Sequence, residues 1–83
     1  MSERWLNCTV FKGMFSDELV VVIRTKSGEA VSFFVPSERV NRIKDEQGQV
    51  RVRTFQEKAD SWAVVPNETQ SVVSVDESQF AIA

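Results

Sequence analysis

The chain contains no histidine. That removes the side chain whose ordinary pKa lies nearest neutrality, the most frequent general base and a frequent metal ligand. Tyrosine is absent too, so no phenol is available as an acid. The single cysteine, Cys8, excludes an internal disulfide and a thiolate metal cluster. Lying among apolar neighbours in "LNCTVF", it reads as a small core residue rather than a nucleophile. The three glycines, Gly13, Gly28 and Gly48, stand far apart and form no phosphate-cradling run. Adjacent acids at Asp17–Glu18, Asp45–Glu46 and Asp76–Glu77 lack the spacing of a calcium loop. In extended chain the members of each pair point to opposite sides. No catalytic constellation emerges, and neither an enzyme, a metal nor a cofactor is expected.

Long hydrophobic runs are missing as well. The longest, "LVVVI" (19–23), is far too short to cross a bilayer. The start, "MSERWLNC", is charged at once and has no apolar signal core. With no export signal and no disulfide, a cytoplasmic protein without a membrane partner is expected.

What is present is an ordinary globular composition, 42% hydrophobic and 27% charged over 83 residues. This length predicts one domain, residues 1–83, with a radius of gyration of ~12 Å. Two sheet layers ~10 Å apart fit that width and three do not.

The pattern is that of strands. "WLNCTVFK" (5–12), "ELVVVIRTK" (18–26), "EAVSFFVP" (29–36), "QVRVRTF" (49–55), "SWAVVP" (61–66) and "SVVSVD" (71–76) are rich in β-branched and aromatic residues. Ser27-Gly28 and "NETQ" (67–70) read as the turns of two hairpins. Segment 37–47 reads as a strand turning at Gln47-Gly48, with a short helical turn near 37–41 after Pro36; the alternative is a helix, since Val40 and Ile43 stand at i,i+3 spacing. The expectation is an all-β, five- or six-stranded antiparallel barrel or sandwich, SH3-like in size and strand spacing.

The first hairpin carries too much apolar surface for one core. A two-residue turn at Ser27-Gly28 sets Val22 opposite Phe33 and Val20 opposite Val35 on one face. Val21 then meets Phe34 on the other, beside Leu19 and Ile23. A half-buried hairpin alternates apolar with polar instead. Burying one such side chain is worth ~1.5–3 kcal/mol, so four left wet forfeit energy comparable to a small domain's stability. Arg24, Lys26 and Glu29 share the face of Val20, Val22, Phe33 and Val35, which predicts that this face points outward and Phe34 inward. Either the chain covers that face itself, with Trp5, Phe11, Met14, Phe15 or the terminal "FAIA", or a second protein does. A homodimer is the simplest form of the second case.

Charge supplies an alternative. Net charge is −2, yet residues 39–58 hold six basic groups against three acidic ones, while residues 59–83 hold four acidic groups and no basic one. A turn at Gln47-Gly48 stacks Lys44 on Arg51 and Arg42 on Arg53, with Phe55 on the same outward face. Basic ladders with an aromatic resemble surfaces that hold single-stranded nucleic acid. Acidic neighbours within the fold and a net negative charge weigh against this. The sequence therefore predicts a non-catalytic interaction module self-associating through Val20, Val22, Phe33 and Val35. The alternative is a nucleic-acid binder using Arg42, Lys44, Arg51, Arg53 and Phe55.

Overall fold

The computed structural model describes residues 2–66 and 71–81. Among these residues seven antiparallel strands form one curled sheet: β1 (Ser2–Lys12), β2 (Glu18–Arg24), β3 (Ala30–Pro36), β4 (Val40–Lys44), β5 (Gln47–Glu57), β6 (Asp60–Val64) and β7 (Val72–Val75). The spatial order is β3-β2-β1-β5-β6-β7, with β4 pairing separately on β5. The all-β expectation holds, with one strand more than the sequence count. The expected helical turn is a single 3-10 turn, Ser37–Arg39. The radius of gyration is 12.0 Å.

Two long strands make the curl. β1 pairs β5 through residues 2–9 and β2 through residues 9–12. β5 pairs β4 near its start and β6 from Arg53 onward. In the gap between β4 and β6, the Arg39 guanidinium donates to the carbonyl of Arg51 at 3.0 Å. The sheet wraps a core led by Leu6, Val21, Ile23, Val50, Val52 and Val75, all nearly or fully inaccessible. Gly48 belongs to this inner face because a Cβ there would lie 2.9 Å from Val10 Cγ2 and 3.3 Å from the carbonyl of Asn41.

The curl closes on itself at two places. The amide of Lys26 donates to the carbonyl of Ser74 at 2.8 Å, and Lys26 Nζ reaches Asp60 at 2.6 Å, so the β2–β3 loop meets β6 and β7. The segment after β7 crosses to β1: Leu6 bridges to Phe80, and the Ala81 amide donates to the Trp5 carbonyl at 2.8 Å. Phe80 is buried there beneath the Arg4 guanidinium, 4.0 Å from its ring centre. Arg4 also pairs with Glu77 at 2.6 Å, and Ser61 donates to the same carboxylate.

Ser61 and Arg4 hold the Glu77 carboxyl below the ordinary range, and Ser78 does the same for Asp76. Depressed carboxyl pKa values favour folding above the ordinary range, and that contribution is lost as pH falls through the depressed values. Lys26 runs the other way. Asp60 raises its pKa, so its contribution is present below the ordinary lysine range and lost as pH rises through the raised value. Thermal unfolding temperature is expected to fall on acidification below the ordinary carboxylate range, and Glu77→Gln is expected to flatten part of that fall. A Glu77→Gln profile parallel to the wild type would show that this latch is uncoupled from folding.

Both expected turn positions move. Between β2 and β3 the Thr25 amide donates to the Glu29 carbonyl at 2.9 Å, leaving a three-residue loop, Lys26-Ser27-Gly28, with Gly28 at φ 94°. A left-handed residue ending a three-residue loop is a common hairpin solution, and glycine enters that region without a Cβ clash. Between β4 and β5 the turn is Asp45-Glu46 (φ 52° and 66°) rather than Gln47-Gly48, with Lys44 opposite Gln47. A third turn, Lys58-Ala59 (φ 53° and 67°), joins β5 to β6. The "NETQ" turn lies outside the described residues; its flanking strands pair Trp62 with Ser74 and Val64 with Val72.

Candidate functional site

The extra loop residue at 26–28 decides where the two phenylalanines go. It pairs Val21 with Phe33 and Val20 with Phe34, one place from the two-residue register. A one-residue shift carries every side chain of a strand to the other face. Phe33 and Val35, expected outward, are core residues exposed by only 5% and 1%. Phe34, expected inward, stands on the outer face at 55% exposure. Val20 and Val22 do lie on the outer face, half-buried.

That outer face forms a continuous cross-strand row. Phe34 on β3 opposes Val20 on β2, which opposes Phe11 on β1, itself 44% exposed. The next row is Ser32, Val22 and Thr9. Beyond Phe11 the β1–β2 turn presents Met14 and Phe15, both exposed. Its backbone is held by the Gly13 amide donating to Glu18 and the Glu18 amide donating to Phe15. Phe34 shares a cleft with Asp17, Glu18 and Pro36, which brings the β3 end of the row beside that turn. Among the described residues the C-terminal segment does not reach this row; its Phe80 fills the core instead. Phe11, Met14 and Phe15 thus extend the apolar surface instead of covering it. The signal for this was local: "GMFSD" sets two large apolar residues inside a turn, and turns run over the surface. The row also reaches an edge, because β3 ends the sheet.

The basic ladder is not assembled as expected. Asn41 opposes Gln49 and Val40 opposes Val50, with a register shift between Asn41 and Lys44. Arg42, at φ 53°, sits in that bulge. Neither Arg42 nor Lys44 therefore opposes Arg53 or Arg51. Ile43, between them in sequence, is exposed. Across β1, Arg51 opposes Trp5 and Arg53 opposes Glu3, and Glu3 Oε1 lies 3.7 Å from Arg51 Nε. Opposite charges and an aromatic replace the like-charge stack, removing its repulsion. Phe55 does share the outward face of Arg51 and Arg53, where it stacks on Trp62 with ring centres 6.4 Å apart and planes within 10°. The Trp62 indole Nε1 is buried there without a hydrogen-bond partner.

Cys8 is on the inner face, and burial pushes its thiol up to about 11, so at neutral pH it is a protonated core side chain. Among the described residues no cluster of three His, Cys, Asp or Glu side chains is arranged to hold a metal, and no helix is long and apolar enough to cross a membrane. Comparison of the chain with protein-family models, with curated proteins and with solved structures finds no match in any of the three.

Proposed function

We propose that the protein is a non-catalytic assembly module that self-associates through the outer face of hairpin 18–36. The observation that carries this reading is the exposed row Phe34–Val20–Phe11, prolonged by Met14 and Phe15. Contiguous apolar surface on one face is what association removes from water. The outer edge of β3, which pairs with no strand among the described residues, supports a second copy as the occupant, since an edge strand offers backbone donors and acceptors to another strand. A two-fold contact uses each copy of the row once, so every side chain counts twice.

Sedimentation at micromolar concentration is expected to give a species of twice 9.4 kDa that persists at raised salt, as apolar association does. Phe34→Ser removes two buried rings from the pair, ~3–6 kcal/mol in total, and is expected to weaken association by ~10²–10⁴-fold. A wild-type protein that sediments as a clean 9.4 kDa species at that concentration overturns the proposal.

The second reading, single-stranded nucleic-acid binding, rests on Arg51, Arg53, Phe55, Trp5 and Trp62 sharing the outward face of β1, β5 and β6. It predicts retention on heparin that weakens steeply with salt, the opposite response from the apolar association.

A further inference from the structure

A groove of about 660 Å³ runs over the other end of β1, lined by Glu3, Arg4, Trp5, Asn41, Arg42 and Gln49 together with the 77–81 segment. Residues 4 and 11 of one strand are ~20 Å apart, so this groove is separate from the apolar row and independent of the self-association reading. Its volume is that of small-molecule sites.

Its charges are not equally engaged. Arg4 is held by Glu77 and lies over Phe80, and Glu3 is 3.7 Å from Arg51. Of the groove's charged side chains, Arg42 alone makes no hydrogen bond or ion pair among the described residues, and it is exposed. Its backbone is left-handed, inside the β4 bulge. A bulge re-aims the side chain it carries, and strained residues of this kind concentrate at binding sites. Beside it, Asn41 Oδ1 is buried with no hydrogen-bond partner. A buried acceptor left unpaired costs free energy, which turning the Asn41 amide toward a ligand donor in the groove recovers. Gln49 lies opposite Asn41 and offers both a donor and an acceptor, and half-buried Trp5 supplies an aromatic wall.

We infer that this groove is a binding site for a small aromatic monoanion carrying a hydroxyl group. The anion pairs with Arg42, the flat apolar body lies against Trp5, and the hydroxyl hydrogen-bonds Asn41 and Gln49. A hydroxyl both donates and accepts, so it satisfies the Asn41 amide in either orientation. One negative charge is the complement of the single unengaged guanidinium, and the carboxylates of Glu3 and Glu77, already compensated within the fold, disfavour a more highly charged ligand.

The probe is 4-hydroxybenzoate, titrated into the full chain and followed by the indole, arginine Nε and side-chain amide resonances. Saturable shifts at Trp5, Arg42, Asn41 and Gln49, with a dissociation constant of about 1 mM or tighter, are expected. Arg42→Gln is expected to weaken binding about tenfold or more, the size of a lost charge-assisted hydrogen bond. Arg42→Gln should keep the wild-type unfolding temperature, because the exposed guanidinium has no hydrogen bond or ion pair to lose. The uncharged 4-hydroxybenzyl alcohol and unsubstituted benzoate should each bind more weakly than 4-hydroxybenzoate, one for want of the charge and the other for want of the hydroxyl. Absence of saturable shifts at these four residues, or equal affinity of wild type and a folded Arg42→Gln, overturns the assignment.

Discussion

Phe33→Ala is expected to destabilise the protein by about 3–5 kcal/mol, whereas Phe34→Ala, one residue on, is expected to change it by less than about 0.5 kcal/mol. The two rings differ in environment and in little else. Phe33 is enclosed by the core, opposite Val21, and its removal leaves a cavity that the surrounding side chains fill only in part. Phe34 is 55% exposed on the outer face, and its truncation opens no cavity. A domain of this length has ~4–12 kcal/mol of total stability, so Phe33→Ala removes a large share of it. Denaturant unfolding is the measurement, at a protein concentration low enough that association contributes nothing. Equal losses at both positions would contradict the three-residue loop and the register that follows from it. Phe34 then separates two properties: truncating its ring is nearly silent in folding and is expected to weaken association sharply.

Replacing Asp45-Glu46 and Lys58-Ala59 together by Asn-Gly is expected to stabilise the fold by about 2 kcal/mol and to raise the unfolding temperature by ~10 °C. Each pair forms a two-residue hairpin turn with both residues at positive φ. Such turns match the right-handed twist of the flanking strands, which is why the sheet adopts them. Left-handed backbone costs a residue with a Cβ ~1–2 kcal/mol, and glycine avoids this at the expense of a more flexible unfolded chain. All four side chains are exposed, so the exchange removes no packing. The two turns are remote from each other along β5, so their effects should add. Calorimetry of the single-turn and double-turn variants tests this, and a double variant no more stable than the wild type would rule out the turn geometry described above.

Those turns also mark where the sequence became hard to read. The strand segments and the all-β class were legible because they depend on local chemistry. β-branched and aromatic residues concentrate in 5–12, 18–26, 29–36, 49–55, 61–66 and 71–76, and these stretches lie on observed strands. The β5–β6 turn was invisible because Lys58-Ala59 has none of the residues that favour positive φ. The β4–β5 turn was displaced toward Gln47-Gly48 because glycine attracts a turn assignment. Gly48 serves a different need, the close approach of Val10 and of the Asn41 carbonyl. With that turn moved, the ladder of Arg42, Lys44, Arg51 and Arg53 dissolved into pairs with Trp5 and Glu3 and an isolated Arg42. The groove was illegible for a further reason, since it joins residues 3–5, 41–49 and 77–81 that meet only through the curl.

By itself the sequence determined that this chain is a small β protein with a hairpin apolar on both faces, because burial and strand propensity act residue by residue. Which phenylalanine is inside was decided by tertiary structure. Face assignment depends on register, register depends on one loop residue, and the core selects the register that encloses Phe33 with Val21 and leaves Phe34 in water.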